Sequence, residues 1–287
     1  MKGRERPRPD VIPAIDLRHG RCVRLREGRA EAETVFSDDP VATARRWAEL
    51  GAQRLHVVDL DGAFSGAPQQ TALIKEIVAA VAPVEVQVGG GLRDLGAIET
   101  VLASGARWAV VGTRAALDPR FLEDAGAAFG ERLIVAVDAR GPHVAVKGWT
   151  EVGADTVLSV GRRALDAGAG ALLYTDVSRD GTGLGPNVDD TATLAREIAM
   201  PILASGGVAT LEDLETLAKI PGVAGTIVGR ALYTGAIDLR DALARFVSAT
   251  KSSALSRSAT ASPGRSERRG VSGAITGASA RPSGPMT

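Results

Sequence analysis

The stretch VQVGGGLRDLGAIETVLASGARWAVVGTRAAL (86–117) reads as an apolar strand, a glycine run, an amphipathic helix and a second strand that again stops at glycine. The same succession returns in ILASGGVATLEDLETLAKIPGVAGTIVGRAL (202–232). There Gly206 and Gly207 stand 116 residues after Gly90 and Gly91, and Gly229 stands 117 after Gly112. A repeat of that length is too long for a solenoid unit and suits two halves of one large fold. Further matches extend it. VIPAID (11–16) and LIVAVD (133–138) are apolar runs that close on Asp16 and Asp138, 122 residues apart, and HVVDL (56–60) matches LYTDV (173–177).

Between these landmarks the chain alternates short β-branched runs with longer amphipathic ones. Strands are expected at 11–16, 54–59, 84–88, 107–111, 133–138, 171–175, 201–205 and 224–228, with helical patterns such as DPVATARRWAELG (39–51) and TLEDLETLAKI (210–220) between them. Thr210 is a good N-cap, and the acidic residues after it suit the helix dipole. Gly51 is a good C-terminal stop. Strand and helix in strict alternation imply a parallel sheet covered by helices. Eight such units favour closure into a single (β/α)8 TIM barrel with twofold half-barrel pseudo-symmetry, which commonly takes about 250 residues.

The bulk composition limits the partners. The 287 residues are 45% hydrophobic with a formal net charge of zero, which argues against a nucleic-acid partner. No apolar run is long enough to span a bilayer, so no membrane role is expected. Cys22, the single cysteine, cannot form an internal disulfide, and a reducing cytoplasm is the expected setting. Residues 1–10 read as a flexible leader. From about Lys251 to Thr287 the chain is dominated by Ser, Ala, Gly, Arg and Pro and reads as a disordered tail. The barrel is therefore assigned to 11–250, and a monomer is expected.

In such barrels the chemistry gathers at the C-terminal ends of the strands. Asp16 and Asp138 end matched strands on opposite sides of one mouth, an arrangement suited to a general acid and a general base. The rival reading is a pair of rim carboxylates that hold loop backbone. Asp59 and Thr175 end strands 2 and 6, with Asp176 one residue on. The glycine turns GGGLR (89–93), VGTRA (111–115), SGGVAT (205–210) and VGRAL (228–232) bring backbone N–H groups to helix N-termini, a place for phosphate. Two matched cradles across one mouth imply a long small-molecule ligand with a phosphate at each end; a tight turn is the alternative for any one of them.

Three loops shape the mouth. The segment from Leu17 to about Ser37 is expected to be a long loop carrying Arg24, which either contacts phosphate or is solvated. HVAVKGWTE (143–151) presents Trp149, either to stack on a planar heterocycle or to pack in the core. TDVSRDGTGLGPN (175–187) is polar, glycine-rich and expected to be mobile. His56 reads as a residue at the edge of the strand 2 core, and His19 and His143 as loop residues. No His/Cys set has metal-ligand spacing, and no G-x-S-x-G or Cys/His pairing points to a covalent intermediate.

Taken together, IPAIDLRHGRCVRL, HVVDLDGAF, QVGGGLRD, VGTRA, VAVKGW, TDVSRDGTGLGPN, ASGGV and IVGRAL resemble the HisA family of histidine-biosynthesis isomerases over residues 11 to about 247. The resemblance implies a cofactor-free Amadori rearrangement that takes an N-linked phosphoribosyl aminoaldose to a phosphoribulosyl aminoketose. It implies Asp16 as proton acceptor and Asp138 as second catalytic aspartate. Asp176 rivals Asp138 as the acid that opens the sugar ring, and the sequence leaves that choice open. Gly90, Gly91, Arg93, Gly112 and Thr113 then serve one phosphate, and Gly206, Gly207, Gly229 and Arg230 the other, with Arg24, Trp149 and Thr175 against the substrate between them. Two related activities stay open. The sister cyclase family HisF needs ammonia from a glutaminase partner, and the dual-substrate PriA isomerases also act on phosphoribosylanthranilate. PriA relatives carry an arginine in RGRGW where this chain has Lys147 in VAVKGW. A catalytically silent binder of bisphosphorylated ligands is the remaining, non-enzymatic alternative.

Overall fold

The computed structural model describes residues 9–26, 29–146, 149 and 151–246. Most of the expected leader, Lys147, Gly148 and the expected tail lie outside the described residues. In chain order, β1 (Asp10–Arg18), β2 (Arg21–Arg26) and β3 (Arg29–Ser37) precede α1 (Pro40–Glu49), and β4 (Arg54–Asp59) leads into α2 (Leu60–Ser65) and α3 (Thr71–Val81). β5 (Glu85–Gly89), α4 (Leu95–Ala103), β6 (Trp108–Val111), α5 (Thr113–Leu117) and α6 (Pro119–Phe129) complete the first half. The second half runs β7 (Leu133–Arg140), β8 (His143–Val146), β9 (Glu151–Thr156), α7 (Val157–Asp166), β10 (Ala171–Asp176), α8 (Val188–Glu197), β11 (Ile202–Ser205), α9 (Leu211–Ala218), β12 (Val223–Val228), α10 (Arg230–Tyr233) and α11 (Leu239–Phe246).

The parallel strands follow the order β1-β4-β5-β6-β7-β10-β11-β12, and β12 pairs back to β1. The sheet is therefore a closed eight-stranded barrel with helices outside. Closure leaves the barrel strands no free edge. Inside it, Ile12, Ile134, Leu173, Leu203 and Ile227 form an apolar plug. At the end away from the mouth, the Arg54 guanidinium stacks 3.8 Å from the centre of the Trp108 ring. A second, larger apolar layer lies between strands and helices, with Trp47, Leu55, Ile77, Ile98 and Leu122 fully buried. The helix ends follow local rules. Asp39, Asp94, Asp118 and Thr156 each accept a backbone N–H at the start of a helix, and Thr210 forms a full capping box with Asp213.

Two expected loops are strands. The segment after β1 is the hairpin β2–β3, and the segment after β7 is the hairpin β8–β9. β1 and β7 run past their aspartates because these hairpins continue the pairing antiparallel, Asp16 opposite Val23 and Ala139 opposite Val144. The turn of the first hairpin is His19-Gly20, both at positive φ, as a two-residue hairpin turn demands. In CVRLRE the period of two is carried by Val23 and Leu25 alone, set between Arg24 and Arg26, so charge hid the alternation. Each half of the barrel thus has a hairpin after its first strand, a further element of the twofold repeat.

Candidate active site

Strand geometry decides which side chains reach the mouth. Successive residues of a strand point to opposite faces. Ala14 and Asp16 on β1, His56 and Val58 on β4, Ala136 and Asp138 on β7, and Leu173 and Thr175 on β10 accordingly line one cavity of about 250 Å3. Asp16 and Asp138 both belong to it, as do Arg24, Gly90, Gly91, Arg93, Gly112, Thr113 and Trp149. Gly206, Gly207, Gly229 and Arg230 line a smaller neighbouring cavity of about 70 Å3. Arg24, Asp180, Ser205 and Ile227 stand in the walls of both, so the two spaces adjoin.

The same alternation turns Asp176 away. Thr175 points inward, so the next residue faces the helix side, and Asp176 lines neither cavity. Its carboxylate accepts from the Ser178 backbone N–H at 3.0 Å, the Ser178 hydroxyl at 2.6 Å and Asn187 Nδ2 at 2.7 Å. Arg179 lies 3.7 Å away. Asp59, its counterpart in the first half, is also buried behind the mouth and accepts from the backbone of Gly62, Gln69 and Gln70. The matched inward pair is therefore Val58 and Thr175, and the two aspartates behind them pin the following loops. The loop after β10, expected to be mobile, is tied at several points through Asp176 and Arg179.

Asp180 was not singled out by the sequence. The turn after β10 bonds its backbone N–H to the Asp176 carbonyl and points its carboxylate into the mouth. There it pairs with Arg24 Nη2, while Arg24 Nη1 donates to Asp16 at 3.0 Å. Arg24 is thus a bridge between two carboxylates, delivered by the hairpin after β1. That hairpin is clasped to β1 by Glu33, which takes Arg18 at 2.7 Å and Arg21 at 3.2 Å. No periodic signal marks Asp180; only the RDG turn hints at a residue exposed by backbone geometry.

The two central carboxylates differ electrostatically. Burial raises the pKa of Asp16, and Arg24 opposes that rise. Burial also raises Asp138, whose opposing contacts are hydrogen bonds from Trp149 and Thr175 with no cation among them. A buried carboxyl without a cation is held in its neutral form to higher pH, and one beside a guanidinium ionises sooner. The mouth therefore offers one carboxyl suited to donate a proton and one suited to accept it.

The glycine turns are built by close approach. A Cβ on Gly90 would lie 2.1 Å from the Asp59 carbonyl oxygen, and one on Gly206 would lie 2.8 Å from that of Asp176. Matched glycines thus pack on matched aspartates. Gly112 and Gly229 start α5 and α10 without any side-chain cap, leaving the first N–H groups of each helix for another acceptor. Arg93 reaches the Ala63 carbonyl at 3.3 Å and Arg230 that of Gly181 at 3.4 Å. Among the described residues, no cluster of His, Cys, Asp and Glu is arranged to hold a metal ion, and no helix is long and apolar enough to cross a membrane.

Residues 10–238 match the family model described as Histidine biosynthesis protein. Similar curated proteins come from Hahella chejuensis (46% identical over 234 residues, 81% of this chain and 96% of the relative) and Thioalkalivibrio sulfidiphilus (47% over 234 residues, 81% and 97%). A third comes from Pelobacter propionicus (48% over 236 residues, 82% and 96%). Each is named 1-(5-phosphoribosyl)-5-((5-phosphoribosylamino)methylideneamino) imidazole-4-carboxamide isomerase.

Proposed function

The chain belongs to the histidine biosynthesis protein family, and from that premise we propose that it isomerises the bisphosphorylated aminoaldose named for its relatives to the corresponding aminoketose. The observation that carries this reading is the pair Asp16 and Asp138, facing one cavity that adjoins both glycine cradles. In the proposed reaction, neutral Asp138 gives its proton to the ribose ring oxygen as the C1–O bond breaks. The nitrogen lone pair moves in to form an iminium. Ionised Asp16, steadied by Arg24, then removes the C2 proton to give the enolamine. Protonation at C1 and loss of the C2 hydroxyl proton complete the aminoketose. Asp138 rather than Asp176 is the proposed acid, because the Asp176 oxygens are committed to Ser178 and Asn187 outside the cavity.

The cradle of Gly90, Gly91, Arg93, Gly112 and Thr113 is proposed to hold one phosphate, and that of Gly206, Gly207, Gly229 and Arg230 the other. Between them Trp149 and Thr175, both bonded to Asp138, face the reacting sugar. The proposed setting is the cytoplasm, in keeping with a buried and unpaired Cys22, and a single chain is proposed to suffice. The test is turnover of the aminoaldose by purified protein without ammonia or a glutaminase. Formation of the aminoketose supports the reading, and binding without turnover overturns it in favour of a silent binder.

A further inference from the structure

The floor of the cavity carries a polar pair that this chemistry leaves unused. His56 is in register with Ala14, one inward step below Asp16, and it lines the cavity. Ala14, Val110, Ala136, Leu173 and Ile227, which also line this cavity, are apolar. Gln87, in register with His56 on β5, is fully buried and its Nε2 donates to His56 Nδ1 at 2.7 Å. That bond leaves the imidazole proton on Nε2, on the ring edge that has no protein partner among the described residues.

The pair is a poor choice for stability alone. Gln87 Oε1 is buried without a protein partner, which carries a desolvation cost, whereas two apolar side chains of the same shape are commonly neutral or better. Nor is the ring a charge carrier. Burial, with Arg54 and Arg24 nearby, pushes its pKa down to about 3. What remains for it is a neutral, oriented hydrogen-bond donor on an otherwise apolar floor.

We propose that His56 contacts substrate: its Nε2–H, oriented by Gln87, bonds a hydroxyl of the opened pentose chain and holds C2 beneath the Asp16 carboxylate. This rests on the aminoaldose reading above. It also makes Gln87 a positioning residue that acts through the imidazole.

Two substitutions separate contact from packing. The amide of His56→Asn reaches the place of Nδ1 and keeps the Gln87 bond, but it falls short of Nε2. The longer amide of His56→Gln reaches the place of Nε2. The expected result is a folded Asn variant with kcat reduced about a hundredfold, and a Gln variant that recovers most of it. The limbs of the pH profile stay where they are in both, because the group replaced is neutral throughout. A folded Asn variant with wild-type kcat and KM overturns the proposal while leaving the isomerase reading intact. Wild-type protein without turnover overturns the reading and the proposal with it. Should the Asn variant fail to fold, Gln87→Met takes its place. It retains His56 without its orienting bond, and it is expected to melt no lower than wild type and to lose kcat with KM little changed; an unchanged kcat overturns the proposal.

Discussion

Asp16 and Asp138 share the cost of burial, and a single guanidinium separates their surroundings and, in the proposed mechanism, their roles. Removing that guanidinium tests the separation: with Arg24→Met, nothing opposes the burial of Asp16, and its pKa rises further. The acid limb of kcat/KM, where the base becomes protonated, is expected to move to higher pH, and a limb that stays put contradicts Asp16 as the base. Asp16→Asn is expected to lose at least about a thousandfold in kcat while retaining its melting temperature. Linkage gives a prediction for Asp138. Its folded-state pKa is raised from the ordinary 3.8, so its contribution to stability is complete below that value and is lost as pH rises through the folded one. Near neutrality burying Asp138 therefore costs stability, because the unfolded chain gives up the proton that the folded chain holds. Asp138→Asn is expected to melt higher than wild type at pH 8, with the gap closing towards pH 4; a lower melting temperature at pH 8 refutes the account. Both carboxylates were legible in the sequence because each sits on a strand, where a period of two and a matched partner fix its direction. Asp176, one residue past the inward Thr175, faces away from the cavity, because one step along a strand turns a side chain to the other face. Asp180 was invisible because a turn, not a periodic element, aims it.

At the scale of elements, the junctions after β4 and β10 are where loop meets glycine. Gly90 stands at φ +105° with the Asp59 carbonyl 2.1 Å from where a Cβ would go, and that neighbour is backbone that cannot swing aside. Gly90→Ala is expected to destabilise by about 3 kcal/mol or more. Gly206→Ala meets the Asp176 carbonyl at 2.8 Å and is expected to cost less. Gly168 has positive φ with nothing within 4 Å, so Gly168→Ala isolates the backbone term, about 1 kcal/mol. Chemical denaturation of the three variants should preserve that order; an equal cost at Gly90 and Gly168 removes the packing argument. The barrel strands were readable at nearly their true bounds, since core strands are apolar on both faces and helices interrupt them regularly. The two hairpins were not. β2 and β9 interrupt their apolar residues with charge or glycine, three arginines in RCVRLR and Glu151, Gly153 and Asp155 in EVGADT, so neither shows a core strand's apolar run.

At the scale of the whole molecule, the repeat seen first in the glycine turns is a repeat of electrostatics as well as of backbone. Each half supplies a glycine pair packed on an aspartate backbone and a short helix without a side-chain cap. Each also supplies an arginine resting on a loop carbonyl. Offsets between matched glycines made this legible, because a close approach of backbones excludes every other residue and so leaves a mark at each copy. What the offsets could not give was the bridge between the halves, Arg24 with Asp16 and Asp180, because each half has its hairpin and loop but the side chains that meet there, Arg24 and Asp180, are not themselves part of the matched sequence. If, as proposed, each cradle holds one phosphate, matched cradles predict matched dependence on the two phosphates. A substrate lacking either one is expected to lose roughly a hundredfold or more in kcat/KM, the worth of two charge-assisted hydrogen bonds, and the two losses should agree within about tenfold. Binding energy from phosphates remote from the reacting carbon serves to orient that carbon, so kcat should fall along with affinity. Comparing the two monophosphorylated analogues in one assay decides it. A large loss for one and none for the other would mean that the halves share a backbone without sharing the work, and that only one cradle grips while the other merely closes the barrel.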